Sequence, residues 1–243
     1  MEPTIGKATQ SDMDAIEVWL KDEHERSIED CFFCNLPEIR HAYSQGRLLV
    51  LHDPESGEPI AFDANGILEV RHDKRGKGYG KQLVEYCIEK AREGDRCVLR
   101  IQCAPSSSKG FWKKMGFTLY SEARPECPPE KMDCAFMLLE KQHPLSGPKV
   151  PVIIYVCDEC DNPLGEYPLS LWGCWTDSRT ILLERRIIIF NPVMSRGGDP
   201  CVRIVVDEKE IYKEKAKREG AKEIGVNCVA RDEFFIDMLR VDQ

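Results

Sequence analysis

Read from the amino terminus, the spacing of apolar and polar positions changes period several times, and each change marks an element. IGKAT is a short strand, and Ser11 with Asp14 three residues on makes a capping-box-like start. Met13, Ile16, Trp19 and Leu20 then recur at helical spacing, which predicts a helix of about four turns. A second short helix is expected over Leu36 to Ser44. LLVLHD, PIAFDA and GILEVRH read as three strands separated by the turn signals ESGEP and ANG, which is an antiparallel meander. From Gly78 the pattern returns to helix, with Leu83, Val84, Cys87, Ile88 and Ala91 on one face, and then to strand in CVLRIQC. A short helix over Ser107 to Met115 precedes strands near Phe117 to Ser121 and Cys134 to Leu139. This order implies an α/β fold of the α+β type, a mixed sheet with helices on both faces.

The stretch QHPLSGPKVP, residues 142–151, carries three prolines, a serine and a glycine between two periodic regions and reads as a linker. It separates a first domain, 1–141, from a smaller C-terminal α+β domain, 152–243. In the latter, VIIYVC, GEYPLSLWGCW, RTILLERRIIIF and CVRIVV read as strands. A helix follows over Asp207 to Glu219, from a box formed by Asp207 and Glu210 and a cap at Gly220, and then a strand in EIGVNCVA. Arg185 and Arg186 look exposed within an otherwise apolar strand, and Trp172, Trp175 and Arg179 are the polar-aromatic group that a recognition surface would use. The domain resembles no family and is expected to govern acceptor choice or oligomerisation.

Composition narrows the function classes. Among 243 residues, 34 Lys and Arg stand against 42 Asp and Glu, a net charge of −8 with both parts acidic, so nucleic-acid binding by bulk charge is disfavoured. No apolar run approaches a membrane span, and the start lacks the basic head and apolar stretch of a signal peptide, so a cytoplasmic location with no membrane partner is expected. The 12 cysteines are then expected to be reduced thiols, several of them inside apolar segments. Cys31-Phe-Phe-Cys34 and Cys157-Asp-Glu-Cys160 are each a half-site for zinc. Cys174, Cys201 and Cys228 form no knuckle with them, so no metal is expected and zinc at Cys157 and Cys160 is the minor reading.

The chemistry-bearing stretch is Arg75-Gly76-Lys77-Gly78-Tyr79-Gly80-Lys81, a glycine-rich turn between a strand and a helix. Backbone amides at a helix N-terminus favour anions, glycine lets a phosphate approach closely, and Arg75, Lys77 and Lys81 add positive charge. The spacing is neither that of a triphosphatase loop nor that of a dinucleotide fingerprint. Arg75-x-x-Gly78-x-Gly80, with Phe111-Trp112-Lys113-Lys114-Met115-Gly116-Phe117 downstream and the order of elements from Ile5 to Leu139, resembles the GNAT superfamily of acyl-CoA-dependent N-acetyltransferases.

That resemblance implies a splayed sheet that holds acetyl-CoA between two parallel strands. Its pyrophosphate would lie on Gly76 to Lys81, and Val70, Arg71, Arg75, Phe111 and Lys114 would complete the cofactor site. It also implies direct acetyl transfer to a primary amine, of a small molecule or a protein, with the Val70 amide facing the oxyanion and a carboxylate as base. Glu69 is the nearest carboxylate; Glu23, Glu25 and Asp30 also qualify by position but read more simply as solvated charges. The family's tyrosine is replaced by Trp112, a poor proton donor, which leaves Tyr120 as an acid candidate or protonation by solvent. The same departure motivates a non-catalytic coenzyme A-binding sensor or scaffold that acts through the C-terminal domain. Family habit and the apolar C-terminal strands point to a homodimer.

Overall fold

The computed structural model describes residues 3–28, 31–94, 96–123, 133–157, 167–190, 199–230 and 233–241. By contacts the chain forms two compact units. One holds Met1–Lys90, Arg100–Leu119 and Pro128–Phe136; the other holds Ala91–Leu99, Tyr120–Cys127 and Met137–Gln243.

The meander at the start is β1 (Thr4–Lys7), β2 (Leu48–His52), β3 (Pro59–Ala64) and β4 (Ile67–Val70), antiparallel throughout in the order β1-β2-β3-β4, so β4 is an edge strand. Between β1 and β2 run α1 (Gln10–Glu25) and α2 (Leu36–Ser44). The capping box lies earlier than the sequence suggests. Thr9 is the N-cap and Asp12 its partner, because the Asp12 carboxylate accepts from the Thr9 N–H at 2.8 Å while the Thr9 hydroxyl accepts from the Asp12 N–H. Met13, Ile16, Trp19 and Leu20 pack with Ile39 and Ala42 of α2 on Leu48, Val50, Phe62 and Ala64 of the sheet. Leu51 and Ala61 meet Leu83 of α3 (Tyr79–Glu93) in a separate cluster. Apolar side chains alternate across the strands, so the meander buries both faces.

After α3 come β5 (Val98–Gln102), α4 (Lys109–Lys114), β6 (Thr118–Leu119), α5 (Tyr120–Ala123) and β7 (Cys134–Leu138), with β5-β7-β6 forming a three-stranded sheet. Tyr120 to Ala123 is helix, not the continuation of a strand.

The C-terminal region is richer in strand than expected. β8 (Lys149–Cys157), β9 (Tyr167–Trp175), β10 (Thr180–Phe190), β11 (Cys201–Val206), β12 (Lys209–Lys215), β13 (Asn227–Ala230) and β14 (Glu233–Arg240) make an antiparallel sheet in the order β12-β11-β8-β9-β10-β14-β13. Asp207 to Glu219 is not a helix. Asp207 and Glu208 take positive φ, 47° and 65°, in a tight hairpin joining β11 to β12. The helix is α6 (Glu219–Ile224), a short one that ends on left-handed Gly225. Arg186 is buried rather than exposed, donating to Asp237 at 2.7 and 3.0 Å and lying 4.1 Å over the Phe235 ring. Cys201 is disulfide-bonded, contrary to the expectation of reduced thiols throughout; Cys31, Cys34, Cys87, Cys97, Cys103, Cys134, Cys157, Cys174 and Cys228 are thiols. Among the described residues no helix is long and apolar enough to cross a membrane.

Candidate active site

β4 delivers the chain to the site. Arg71 donates its N–H to Ile60 O at 2.9 Å, so the alternation of backbone groups along a strand turns the Val70 N–H to the opposite, outer edge of β4. A Cβ at Gly66 would lie 3.5 Å from Arg100 O, which places the start of β4 close to β5. Farther along, a cavity of about 490 Å³ opens between Leu68 to Val70 on one side and Ala104, Pro105 and Ser108 on the other, with Phe111 of α4 and the Arg75 to Lys81 turn at its ends. A second cavity of about 290 Å³ shares Phe32, Leu68, Ala104, Ser108 and Phe111 with it, so the two form one groove.

A 3-10 turn, His72–Lys74, leads into the glycine turn. Gly76 and Gly78 adopt φ of +75° and +85°, with open space where a Cβ would stand, and α3 begins immediately after. Side chains would strain this backbone and fill the space in front of the helix amides, so the two glycines fit a phosphate cradle. Gly80 has a different reason: its Cβ would come within 3.3 Å of Val70 Cγ2 and 3.7 Å of the Phe111 ring.

Of the cofactor residues expected from sequence, Val70, Arg75, Gly76, Gly78, Tyr79, Gly80, Lys81 and Phe111 line the larger cavity. Lys74 lines it too and is bonded to Asp53 at 2.6 Å, where the ion pair and backbone N–H donors hold Asp53 down at about 2. Arg71 turns away to Asp73 at 2.8 Å and Glu58 at 3.5 Å, and exposed Lys77 and Lys114 lie outside the lining. Tyr120 is buried with its ring on Phe190 and is not part of the groove wall. Trp112 is core, edge-on to both Phe111 and Phe117.

Glu69 is 2% exposed and projects to the α1 side, where sequence reasoning undervalued its partner. Glu23, read as a solvated charge, is equally buried, on the face of α1 that carries Met13, Ile16, Trp19 and Leu20. Glu23 Oε1 accepts from His72 N–H at 2.8 Å, and Glu69 Oε2 accepts from Phe32 N–H at 3.3 Å. Glu23 Oε2 and Glu69 Oε1 are buried without a hydrogen-bond donor, although the Arg75 guanidinium stands 3.6 Å from Glu69 Oε1. Donor atoms of Glu23, Glu69 and Cys31 all lie within 4.8 Å of one another. Burial, followed by the negative charge of Glu23, pushes the Glu69 carboxyl up to about 8; Arg75 and the Phe32 amide offset this in part. Glu25 is exposed, and Asp30 lies outside the described residues.

The signal that could have found Glu23 is its spacing from Trp19, Ile16 and Leu20, which puts it on the buried face of α1. The Cys31–Cys34 pair does not act as a unit. The Cys31 thiol donates to Leu20 O and is pushed up chiefly by burial, whereas Cys34 is exposed beside Asn35. Of the phenylalanines between them, Phe32 lines the groove and Phe33 stacks on His24. In the other pair Cys157 is buried, and Cys160 lies outside the described residues.

The site thus combines a strand end, a glycine turn at a helix N-terminus and a buried carboxyl group. Residues 45–119 match the family model described as "Acetyltransferase (GNAT) domain", so this part of the chain is a GNAT acetyltransferase domain. Similar solved structures include a GNAT acetyltransferase from Staphylococcus aureus Mu50, at 15% identity and TM-score 0.43, over 57% of this chain and 99% of that one. Another is Escherichia coli YhbS in complex with CoA, at 19% and 0.44, over 57% and 82%. A third, from Brucella melitensis in complex with acetyl-CoA, gives 14% and 0.40 over 59% and 92%. No curated protein sequence matches the chain.

Proposed function

We propose that this protein transfers the acetyl group of acetyl-CoA to a primary amine, with Glu69 as general base. The observation that carries this reading is the placement of Glu69: a buried carboxyl near pKa 8, on the strand whose end opens onto the glycine cradle. Acetyl-CoA supplies an activated acyl carbon. Gly76, Gly78 and the first turn of α3 would hold its phosphates, and Leu68, Val70 and Phe111 its pantetheine arm.

A primary amine with an ordinary pKa near ~10.4 reaches the site mostly as ammonium, and a base of pKa about 8 is well matched to relieve it of a proton. Glu69 takes that proton, the nitrogen lone pair forms a bond to the thioester carbon, and the Val70 N–H donates to the oxygen as it gains charge. The C–S bond then breaks, and the second proton of the acylated nitrogen passes to the departing sulfur or to solvent. The coenzyme A thiol resembles cysteine, of pKa about 8.5, so the sulfur leaves as a thiolate near neutrality without a strong acid. Trp112 in place of a tyrosine is compatible with this route.

The second reading, a coenzyme A-binding module without turnover, is favoured by that same Trp112. Native mass spectrometry with and without acetyl-CoA, paired with release of coenzyme A thiol over an amine panel, separates the two. One coenzyme bound per chain together with turnover is expected. Gly78→Glu, which puts a like charge into the cradle, should lose both by at least about 100-fold while keeping its circular dichroism. Equal binding and turnover in that variant would show that the cofactor site is elsewhere.

A further inference from the structure

We propose that the cavity of about 290 Å³ at the far end of the groove is the acceptor pocket, and that it takes a small primary monoamine with an uncharged, ring-sized apolar body. This deepens the acetyltransferase reading and rests on it.

The groove is electrically uneven. Among its described lining residues, every ionisable side chain (Glu69, Lys74, Arg75, Tyr79 and Lys81) belongs to the larger cavity at the phosphate-loop end. The described residues that line the smaller cavity include none. Its walls are Phe32, Ile67, Leu68, Phe111 and Trp112, and its polar groups are the neutral Asn35, Gln102 and Ser108. The Ser108 hydroxyl is buried without a hydrogen-bond partner, which suits one neutral polar atom on a ligand. The cavity reaches both Leu68 of β4 and Gln102 of β5, so it lies where the two strands diverge. Phe32 links it to Glu69, since it lines both cavities and its N–H is bonded to the Glu69 carboxylate.

In this assignment the amine points toward the adjoining larger cavity, which Glu69 lines, and the remaining atoms of the acceptor lie against aromatic and aliphatic walls. A second ammonium, or a carboxylate, would meet no opposite charge among the described lining residues, which disfavours it. The volume lies just below the range of about 300–1,000 Å³ typical of pockets for drug-sized ligands, which suits a single ring system. Polyamines, free amino acids and aminoglycosides are therefore expected to be poor acceptors.

A rival site exists in a cavity of about 640 Å³ beside α1, where Asp14, Asp22 and Asp73 would suit a polycation. Asp22 is already paired with Arg26 and Asp73 with Arg71, and although Glu23 lines this cavity, Glu69 itself lines the groove and not this cavity.

The test uses the full chain with acetyl-CoA and compares kcat/KM for 2-phenylethylamine, 1,4-diaminobutane, spermidine, lysine and a short lysine peptide. The expected result is a preference for 2-phenylethylamine of at least about 100-fold. Asn35→Asp, nearly isosteric, places a carboxylate in the pocket. It should lower kcat/KM for 2-phenylethylamine about tenfold and raise it for 1,4-diaminobutane, with acetyl-CoA binding unchanged by native mass spectrometry. Preference of the wild type for a polyamine, lysine or the peptide overturns the pocket assignment and leaves the acetyltransferase reading standing. If coenzyme binds but no amine turns over, the acetyltransferase reading falls. Calorimetric titration of 2-phenylethylamine into the coenzyme A complex then decides the pocket, and absence of saturable binding overturns it.

Discussion

Glu69 shows how far a residue's chemistry departs from its letter. An ordinary glutamate titrates near ~4.3 and is a weak base at neutral pH. Here burial and the facing Glu23 carry it up to about 8, while Arg75 and the Phe32 amide pull the other way. The groups facing it come from α1 (Glu23), from the following turn (Cys31) and from the phosphate loop (Arg75). In the proposed role of general base Glu69 acts as carboxylate, so kcat is expected to rise with pH along a limb centred near 8. Glu69→Gln should lower kcat by about 10²- to 10⁴-fold and leave acetyl-CoA binding intact. In Glu23→Gln the amide oxygen can still accept from His72 N–H, but the charge beside Glu69 is gone, so the limb should move toward lower pH. A pH profile of kcat for both variants checks this; an unmoved limb in Glu23→Gln would mean that Glu23 does not tune the base.

At the scale of elements, periodicity decided correctly wherever a strand or helix had one buried face, and it failed where two patterns competed. From Asp207 to Glu219 the charges of DEKEIYKEKAKRE suit helical pairs, yet Ile211 and Tyr212 pack on the sheet core and β12 pairs with β11 over its whole length. Pairing to an existing strand outweighed local helix preference. The hairpin retains a cost of that choice, because Asp207 and Glu208 both hold the left-handed backbone that glycine adopts easily. Glu208→Gly is therefore expected to stabilise the protein, because relief of about 1–2 kcal/mol of left-handed strain exceeds the entropic cost of glycine, about 0.5–1 kcal/mol, read as a higher denaturant midpoint at constant slope. Destabilisation would indicate that the Glu208 side chain contributes more than its backbone costs.

For the whole molecule, two carboxyl groups of opposite behaviour, buried Glu69 and half-buried Asp237, shape the dependence of stability on pH. Glu69 binds its proton more tightly folded than unfolded, so the stability it contributes is complete below the ordinary carboxyl value and is lost as pH rises through about 8. Asp237 behaves in reverse. Burial pushes its carboxyl up, but the hydrogen bonds from Arg186 and His143 outweigh that and hold it below the ordinary aspartate value. Its contribution is present above that value, near ~3.9, and is lost as pH falls through its folded pKa. Melting temperature should thus pass through a maximum between the two. Glu69→Gln is expected to flatten only the alkaline side of the profile and Asp237→Asn only the acid side. A variant that altered the opposite side would break this assignment.

The sequence alone determined the order of the elements from Ile5 to Gln102, the glycine turn and the acidic balance, because these depend on local periodicity, on backbone freedom at Gly76 and Gly78, and on counting charges. It also placed Glu69 on the right strand. Only the tertiary structure decided that Glu23 faces Glu69 rather than water, that Arg186 is buried against Asp237, and that β12 is a strand. Each of these turns on which surface a distant segment covers, and burial of a charge or pairing of a strand edge is a property of two segments at once, which no local spacing contains.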